Sequence, residues 1–267
     1  MTARILRTYL FELNKTLRWK YLYIAFAIAL AGCGLASVVP EYLYTEQNAE
    51  LNGYILMGVI AHYGVFPIGA VLTLVFAALI VGQEYNHKTL PVFASSPLKR
   101  TEILIAKVLT AFTFNAALVL LVFVVSFILS LLLIGFAPIE FDADSSIILS
   151  DMWPHFVYSA LFTLLPLAGV SCVVMALTFV TENAGFSIGI ALGAGLIVSL
   201  LRFLKSGVKQ LSIVEYIGNP TSLIVDVGEQ IHVDWLVEMR TLVIVSLVYV
   251  AVGMVVSLWV FSRKDVV

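Results

Sequence analysis

Charge is what this sequence has least of. Only 12% of its 267 residues are Asp, Glu, Lys or Arg, about half the share of roughly 25% in a water-soluble domain. Hydrophobic residues make up 61% of the chain and its mean hydropathy is +1.03, so a soluble surface cannot be built from it. Cysteine is nearly absent as well. Cys33 and Cys172 both lie in apolar runs, which excludes a disulfide framework of the secreted kind and leaves two small buried side chains. The four histidines, His62, His87, His155 and His232, share no metal-ligand spacing and form no His-Glu-x-x-His motif, so an intramembrane metalloprotease is not expected. A phosphate loop is missing too. Gly64 to Gly69 has its glycine spacing, but Ala70 and Val71 stand where Lys and Ser/Thr are required. No catalytic residue, cofactor or metal is expected in the chain, and no nucleic-acid partner.

What the sequence has in abundance is long apolar runs. Six occur: Tyr21 to Val39, Tyr54 to Val81, Lys107 to Phe136, Trp153 to Val180, Ala184 to Leu201 and Met239 to Phe261. Each approaches or exceeds the roughly 20 residues that cross a bilayer as a helix. The expected fold is an all-α integral membrane protein of six transmembrane helices, with residues 20–267 forming a single transmembrane domain. The first run is preceded by a long charged segment and reaches a full span, so it reads as a retained helix and not a cleavable signal. Pro67 and Pro166 fall inside spans, and each predicts a local kink because proline removes an intrahelical hydrogen bond.

Residues 1–19 alternate on a helical period. Ile5, Leu6, Tyr9, Leu10, Leu13 and Leu17 fall on one side; Arg4, Arg7, Glu12, Lys15 and Arg18 fall on the other. This pattern predicts an amphipathic helix lying on the membrane, its basic face toward anionic head groups, followed by the interfacial aromatics Trp19, Tyr21 and Tyr23. Packing on a soluble neighbour is the alternative.

Lys and Arg set the orientation. They cluster before the first span, between the second and third (Lys88, Lys99, Arg100, Lys107) and after the last (Arg263, Lys264). Residues 40–53 and 137–152 contain none, only acids such as Glu41, Glu46, Glu140, Asp142, Asp144 and Asp151. The positive-inside rule then puts both termini in the cytoplasm. Arg202, Lys205 and Lys209 fall on the wrong side of this scheme. Short helices dipping into the outer leaflet over 202–238 would accommodate them; a five-span chain, with no true turn at Thr181 to Asn183, stays open.

The loop from Gly82 to Lys107 is the most specific stretch. It holds Glu84 at the end of the second span, then Lys88-Thr89, Ser95-Ser96-Pro97, Lys99-Arg100, and Lys107 opening the third span. Ser96 can cap a helix beginning at Pro97. Lys99 and Arg100 oppose the dipole of that helix, so another use is expected for them, lipid phosphates being the simplest. The order and spacing of these residues resemble the signature of type-2 ABC transporter permeases, and so does the basic ending Phe261-Ser-Arg-Lys-Asp265. The resemblance implies that 82–107 carries a coupling helix against which a separate ABC ATPase subunit docks, through Glu84, Tyr85, Lys88, Thr89, Leu90 and Phe93. It also implies ATP and Mg in that partner alone, a second permease copy or paralogue, and re-entrant helices in the outer segment 202–238. Substrate would move outward by alternating access, in a multi-pass protein of a prokaryotic plasma membrane; family members carry lipids, glycolipids, peptides or drugs. The competing class is a secondary carrier or membrane scaffold without an ATPase.

Residues outside the loop carry weaker signals. Arg4, Arg7, Lys15, Arg18, Lys99 and Arg100 are the expected membrane-surface anchors. Gly185, Gly189 and Gly193 repeat every fourth residue and predict a helix-packing face, within the chain or between two copies. Glu84 reads equally as a solvated helix-end acid or as a partner of a base. His62, alone within a span, reads as a hydrogen-bonded packing residue.

Overall fold

The computed structural model describes residues 2–38, 52–86, 99–136, 139–142, 145–147, 149–201, 212–228 and 235–263. In chain order the elements are α1 (Thr2–Leu17), α2 (Lys20–Ala36), α3 (Gly53–Tyr63), a π-helical segment (Gly64–Gly69), α4 (Ala70–Asn86), α5 (Arg100–Leu133), β1 (Ile139–Asp142), β2 (Ser145–Ile147), α6 (Leu149–Thr181), α7 (Ala184–Leu201), α8 (Ile213–Gly228) and α9 (Trp235–Arg263). Among the described residues the architecture is helical apart from the antiparallel hairpin β1–β2, which pairs Ile139 with Ile147.

Among the described residues, four stretches are long and apolar enough to cross a membrane: Gly53–Asn86, Arg100–Leu133, Trp153–Thr181 and Met239–Arg263. They coincide with four of the six expected runs. The first run is the second limb of a pair, α1 and α2, bent by 69°, and the fifth is a shorter apolar helix over Ala184–Val198. The kink expected at Pro67 is present: Phe66 leaves helical geometry (φ −126°, ψ 120°). At Pro166, by contrast, α6 continues from Leu149 to Thr181. The turn between α6 and α7 is real. Glu182 takes φ 57°, the Asn183 side chain accepts from the Phe186 N–H at 3.1 Å, and α7 packs back on α4 and α6.

Tight helix packing occurs at isolated glycines. A Cβ on Gly253 of α9 would stand 2.6 Å from the Cys172 carbonyl carbon of α6, and one on Gly169 of α6 would meet α9 at Ser246 O, 3.4 Å away. Small residues let two backbones approach where lipid gives no hydrophobic drive, and α6 and α9 form the most extensive helix pair here. Near one end, Phe26, Phe76 and Phe114 stack, the last two with centroids 4.0 Å apart. At the other end Tyr54, Phe127, Phe136 and Trp153 form an aromatic cluster. Large apolar side chains such as Leu120, Leu132, Leu196 and Val255 stay exposed, as a lipid-facing surface requires. A buried polar chain crosses the middle: Thr73 donates to Asn115 Oδ1, and Asn115 Nδ2 to Ser171 Oγ, both at 3.0 Å, joining α4, α5 and α6.

Candidate functional site

Among the described residues, six helix ends gather at the end of the molecule that holds Lys15, Lys99, Arg100, Lys107 and Arg263, whereas Arg240, near the start of α9, lies toward the other end. α4, α6 and α9 finish at this basic end and α2, α5 and α7 begin there, with α1 lying across α5. α4 reaches this end beside α7 only because residue 82 is glycine: a Cβ there would come within 2.4 Å of the Ala184 Cβ.

Four charged side chains converge beside that crossing. Lys107 of α5 is 1% exposed and donates to Glu84 Oε1 of α4 at 2.5 Å, to Glu12 Oε1 of α1 at 3.5 Å, and to the Ile80 carbonyl at 3.1 Å. Lys15 of α1 lies 3.4 Å from Glu84 and 3.9 Å from Glu12. Glu12 and Glu84 are both buried. Two acids thus neutralise two bases in a nearly dry site, the condition under which buried charge is tolerated at all. Glu84 is therefore a partner of bases and not a solvated helix-end acid.

Glu12 overturns its placement on the exposed basic face of α1. The face turned inward is Thr8, Glu12 and Thr16, whereas Leu6, Leu10, Phe11 and Leu17 are exposed. Periodicity sorts residues by polarity, but Lys107 needs a counter-ion, and that need outweighs solvation of Glu12. Tyr9 adds a hydroxyl contact to Thr113 of α5 at 2.8 Å. Of the expected anchors, Arg4, Arg7 and Arg18 are exposed while Lys15 is spent partly within the quartet.

α5 begins at Arg100, with Lys99 extended (φ −73°, ψ 143°) as its N-cap, and not at Pro97. Glu102 accepts from the Lys99 N–H at 3.0 Å, so the start is capped by an acid three residues in. Arg100 donates to the Phe261 and Ser262 carbonyls and lies 5.6 Å from the Phe261 ring centre. Its charge, misplaced at the start of α5, sits against the negative end of α9, where a cation is favoured. Arg263 stacks 4.4 Å over Trp259 nearby. The sequence offered no signal for this α5–α9 link beyond the misfit of a basic pair in a first turn.

Lys88, Thr89, Leu90 and Phe93, with the rest of 87–98, lie outside the described residues, as do Ser96, Pro97, Arg202, Lys205, Lys209 and Lys264. The helical ends that hold the 87–98 loop, Asn86 and Lys99, are described. The quartet ties the last turn of α4 to the third turn of α5, one on each side of that loop. Tyr85 is half-buried beside it and packs against the cluster of Phe76 and Phe114.

Residues 10–199 match the family model described as ABC-2 family transporter protein. The chain belongs to the ABC-2 transporter family. A search of curated proteins finds no match. Family membership and the apolar helices together make this a multi-pass membrane protein of transport-permease type.

In this ABC-2 chain the glycine stripe packs closely against no other helix among the described residues. A Cβ on Gly189 or Gly193 would meet nothing within 4 Å, and one on Gly185 only Asn183 Oδ1 at 3.4 Å. His62 is tied to α8: its Nδ1 lies 3.2 Å from both the Gly218 carbonyl and Thr221 Oγ1. Gly218 is needed there, because a Cβ would fall 2.6 Å from the imidazole Cε1. Cys33 and Cys172 are buried and unlinked.

Proposed function

We propose that the chain is the permease subunit of an ATP-driven exporter, moved by a separate ABC ATPase that docks on residues 87–98. The observation that carries this reading is the Glu12–Lys15–Glu84–Lys107 quartet. It joins both flanks of the loop and the N-terminal helix through buried ion pairs, and buried, well-bonded charge is costly to pull apart. A push on the loop is therefore delivered to α1, α4 and α5 together as a rigid-body tilt. Substrate leaves outward by alternating access, and ATP and Mg belong to the partner.

Six spans with both termini cytoplasmic fit the arrangement of helix ends. α2 and α7 then cross as the first and fifth spans, and α8 lies as a re-entrant helix against α3 and α6. The exposed face of α7 with Gly185, Gly189 and Gly193 suits a second permease copy. The setting is a prokaryotic plasma membrane.

The test is purification of the tagged chain from its native membrane in mild detergent, with mass spectrometry and an ATPase assay. Recovery of an ABC ATPase, lost when His87 to Ala94 is scrambled, is the expected result. A folded chain recovered alone, without ATPase activity, would move the assignment to a secondary carrier or scaffold.

A further inference from the structure

The two flanks of the 87–98 loop are tied to different parts of the bundle. Before the loop, Glu84 is held in the quartet with α1 and α5. After it, Arg100, the first residue of α5, reaches across to the last turn of α9. Its guanidinium donates to the Phe261 carbonyl and, at 2.9 Å, to the Ser262 carbonyl, and it lies 5.6 Å from the centre of the Phe261 ring. A planar fork can hold two acceptors and an aromatic face together, which a lysine ammonium does less well.

The tie does not stop at α9. The Phe261 ring is buried and packs on Phe179 of α6, with centroids 5.2 Å apart. From there α6 and α9 run side by side: a Cβ on Gly253 would stand 2.8 Å from the Cys172 Cβ, and one on Gly169 would stand 3.2 Å from the Tyr249 Cβ. Residues 169–179 of α6 cover about 15 Å at 1.5 Å per residue. Backbones brought this close by small residues cannot slide without opening voids or clashing, so α6 and α9 move as one body. α5 meets α9 far less extensively than α6 does, and Arg100 therefore stands where little packing holds the two together.

We infer that Arg100 is a positioning residue: it makes the end of α9, and through Phe261 and the α6–α9 seam also α6, follow the far flank of the 87–98 loop. The quartet moves α1, α4 and α5; Arg100 adds the other pair of helices. That an ATPase supplies the movement rests on the permease reading, whereas the attachment of α9 and α6 to the start of α5 does not.

The test is hydrogen exchange read by mass spectrometry on the full chain with its co-purifying partners in mild detergent, with and without ATP and Mg. Without nucleotide, Arg100→Ala should speed exchange about fivefold at 258–263, the factor for about one net hydrogen bond. It should speed exchange at 175–181 of α6 as well and leave 107–115 of α5 unchanged. Arg100→Lys keeps the charge without the fork and should fall between parent and Arg100→Ala. Phe261→Leu keeps the carbonyls and loses both ring contacts; it should also speed exchange at 175–181, and it gives the reading should Arg100→Ala aggregate. Combined, the two changes should add up to less than their separate effects, as for residues acting through one contact. Exchange unchanged at 175–181 in both single variants, or full additivity, overturns the inference, because Arg100 would then only cap α9.

With ATP, the parent should change at 107–115 and at 258–263 alike. In Arg100→Ala the change at 107–115 should persist and that at 258–263 should vanish; a nucleotide response retained at 258–263 overturns the positioning role. A chain that recovers no ATPase but shows the expected nucleotide-free pattern keeps the tie and removes the permease reading. Recovery of the ATPase with 175–181 unmoved removes the tie alone.

Discussion

Removing the charge of Lys107 should destabilise this protein more than any single substitution on its surface. Lys107→Met takes away an ammonium bonded to Glu84 at 2.5 Å, Glu12 at 3.5 Å and the Ile80 carbonyl at 3.1 Å. It leaves two carboxylates, 0% and 3% exposed, facing only Lys15 among the quartet, and Lys15 is 29% exposed. Breaking a buried pair by deleting one partner costs about 3–5 kcal/mol, whereas replacing a whole buried set by uncharged groups of similar volume is often neutral. The triple variant Glu12→Gln, Glu84→Gln, Lys107→Met should therefore recover most of the loss. At about 2–4 °C per kcal/mol for a chain of this size, the single variant should lower Tm by roughly 6–20 °C, read by fluorescence-detected size exclusion after heating in detergent. A single variant within about 2 °C of the parent, or a triple variant no better than the single, would refute the account of the quartet as a mutually neutralised, largely buried cluster.

Arg100→Ala removes two bonds to the last carbonyls of α9; discounted for partial exposure, this should cost about 1 kcal/mol, read as faster amide exchange at 258–263. Gly253→Val must push apart α6 and α9 and should cost about 1–3 kcal/mol. Gly189→Val enters open space and should leave the Tm of the monomeric chain unchanged, so equal losses in the two would contradict the assigned packing. His62→Leu forfeits the contacts to Gly218 and Thr221, worth about 1 kcal/mol, and should raise amide exchange across 213–228 without altering α5. Protection unchanged in α8 would show that its apolar face holds it without the imidazole.

The sequence by itself determined that the chain is a bundle of apolar helices in a membrane, where the runs lie and how the basic loops are distributed, because a bilayer admits only apolar segments with internally satisfied backbones. It marked Pro67 and Pro166 alike, because a proline cannot complete the helical ladder, but the helix breaks at the first and continues through the second. It also carried the family resemblance in one loop. It could not say where each polar residue of α1 points. Glu12 reads as solvated from the pattern of residues 1–19, and only Lys107, 95 positions away, explains its burial. Glu84 was legible as an acid at a span end and ambiguous until Lys107 and Lys15 were seen beside it. Arg100 was legible as a misfit in its own helix, but its partner is the end of another, 161 residues on. The glycines tell the same story in reverse. A regular four-residue spacing marks Gly185, Gly189 and Gly193, yet among the described residues the close contacts fall at glycines outside it, Gly82, Gly169, Gly218 and Gly253 among them. Local sequence fixes what a segment must avoid, namely water or lipid. Which buried charge neutralises which, and which glycine admits a neighbour's backbone, depends on the approach of helices distant in sequence, and tertiary structure alone decided it.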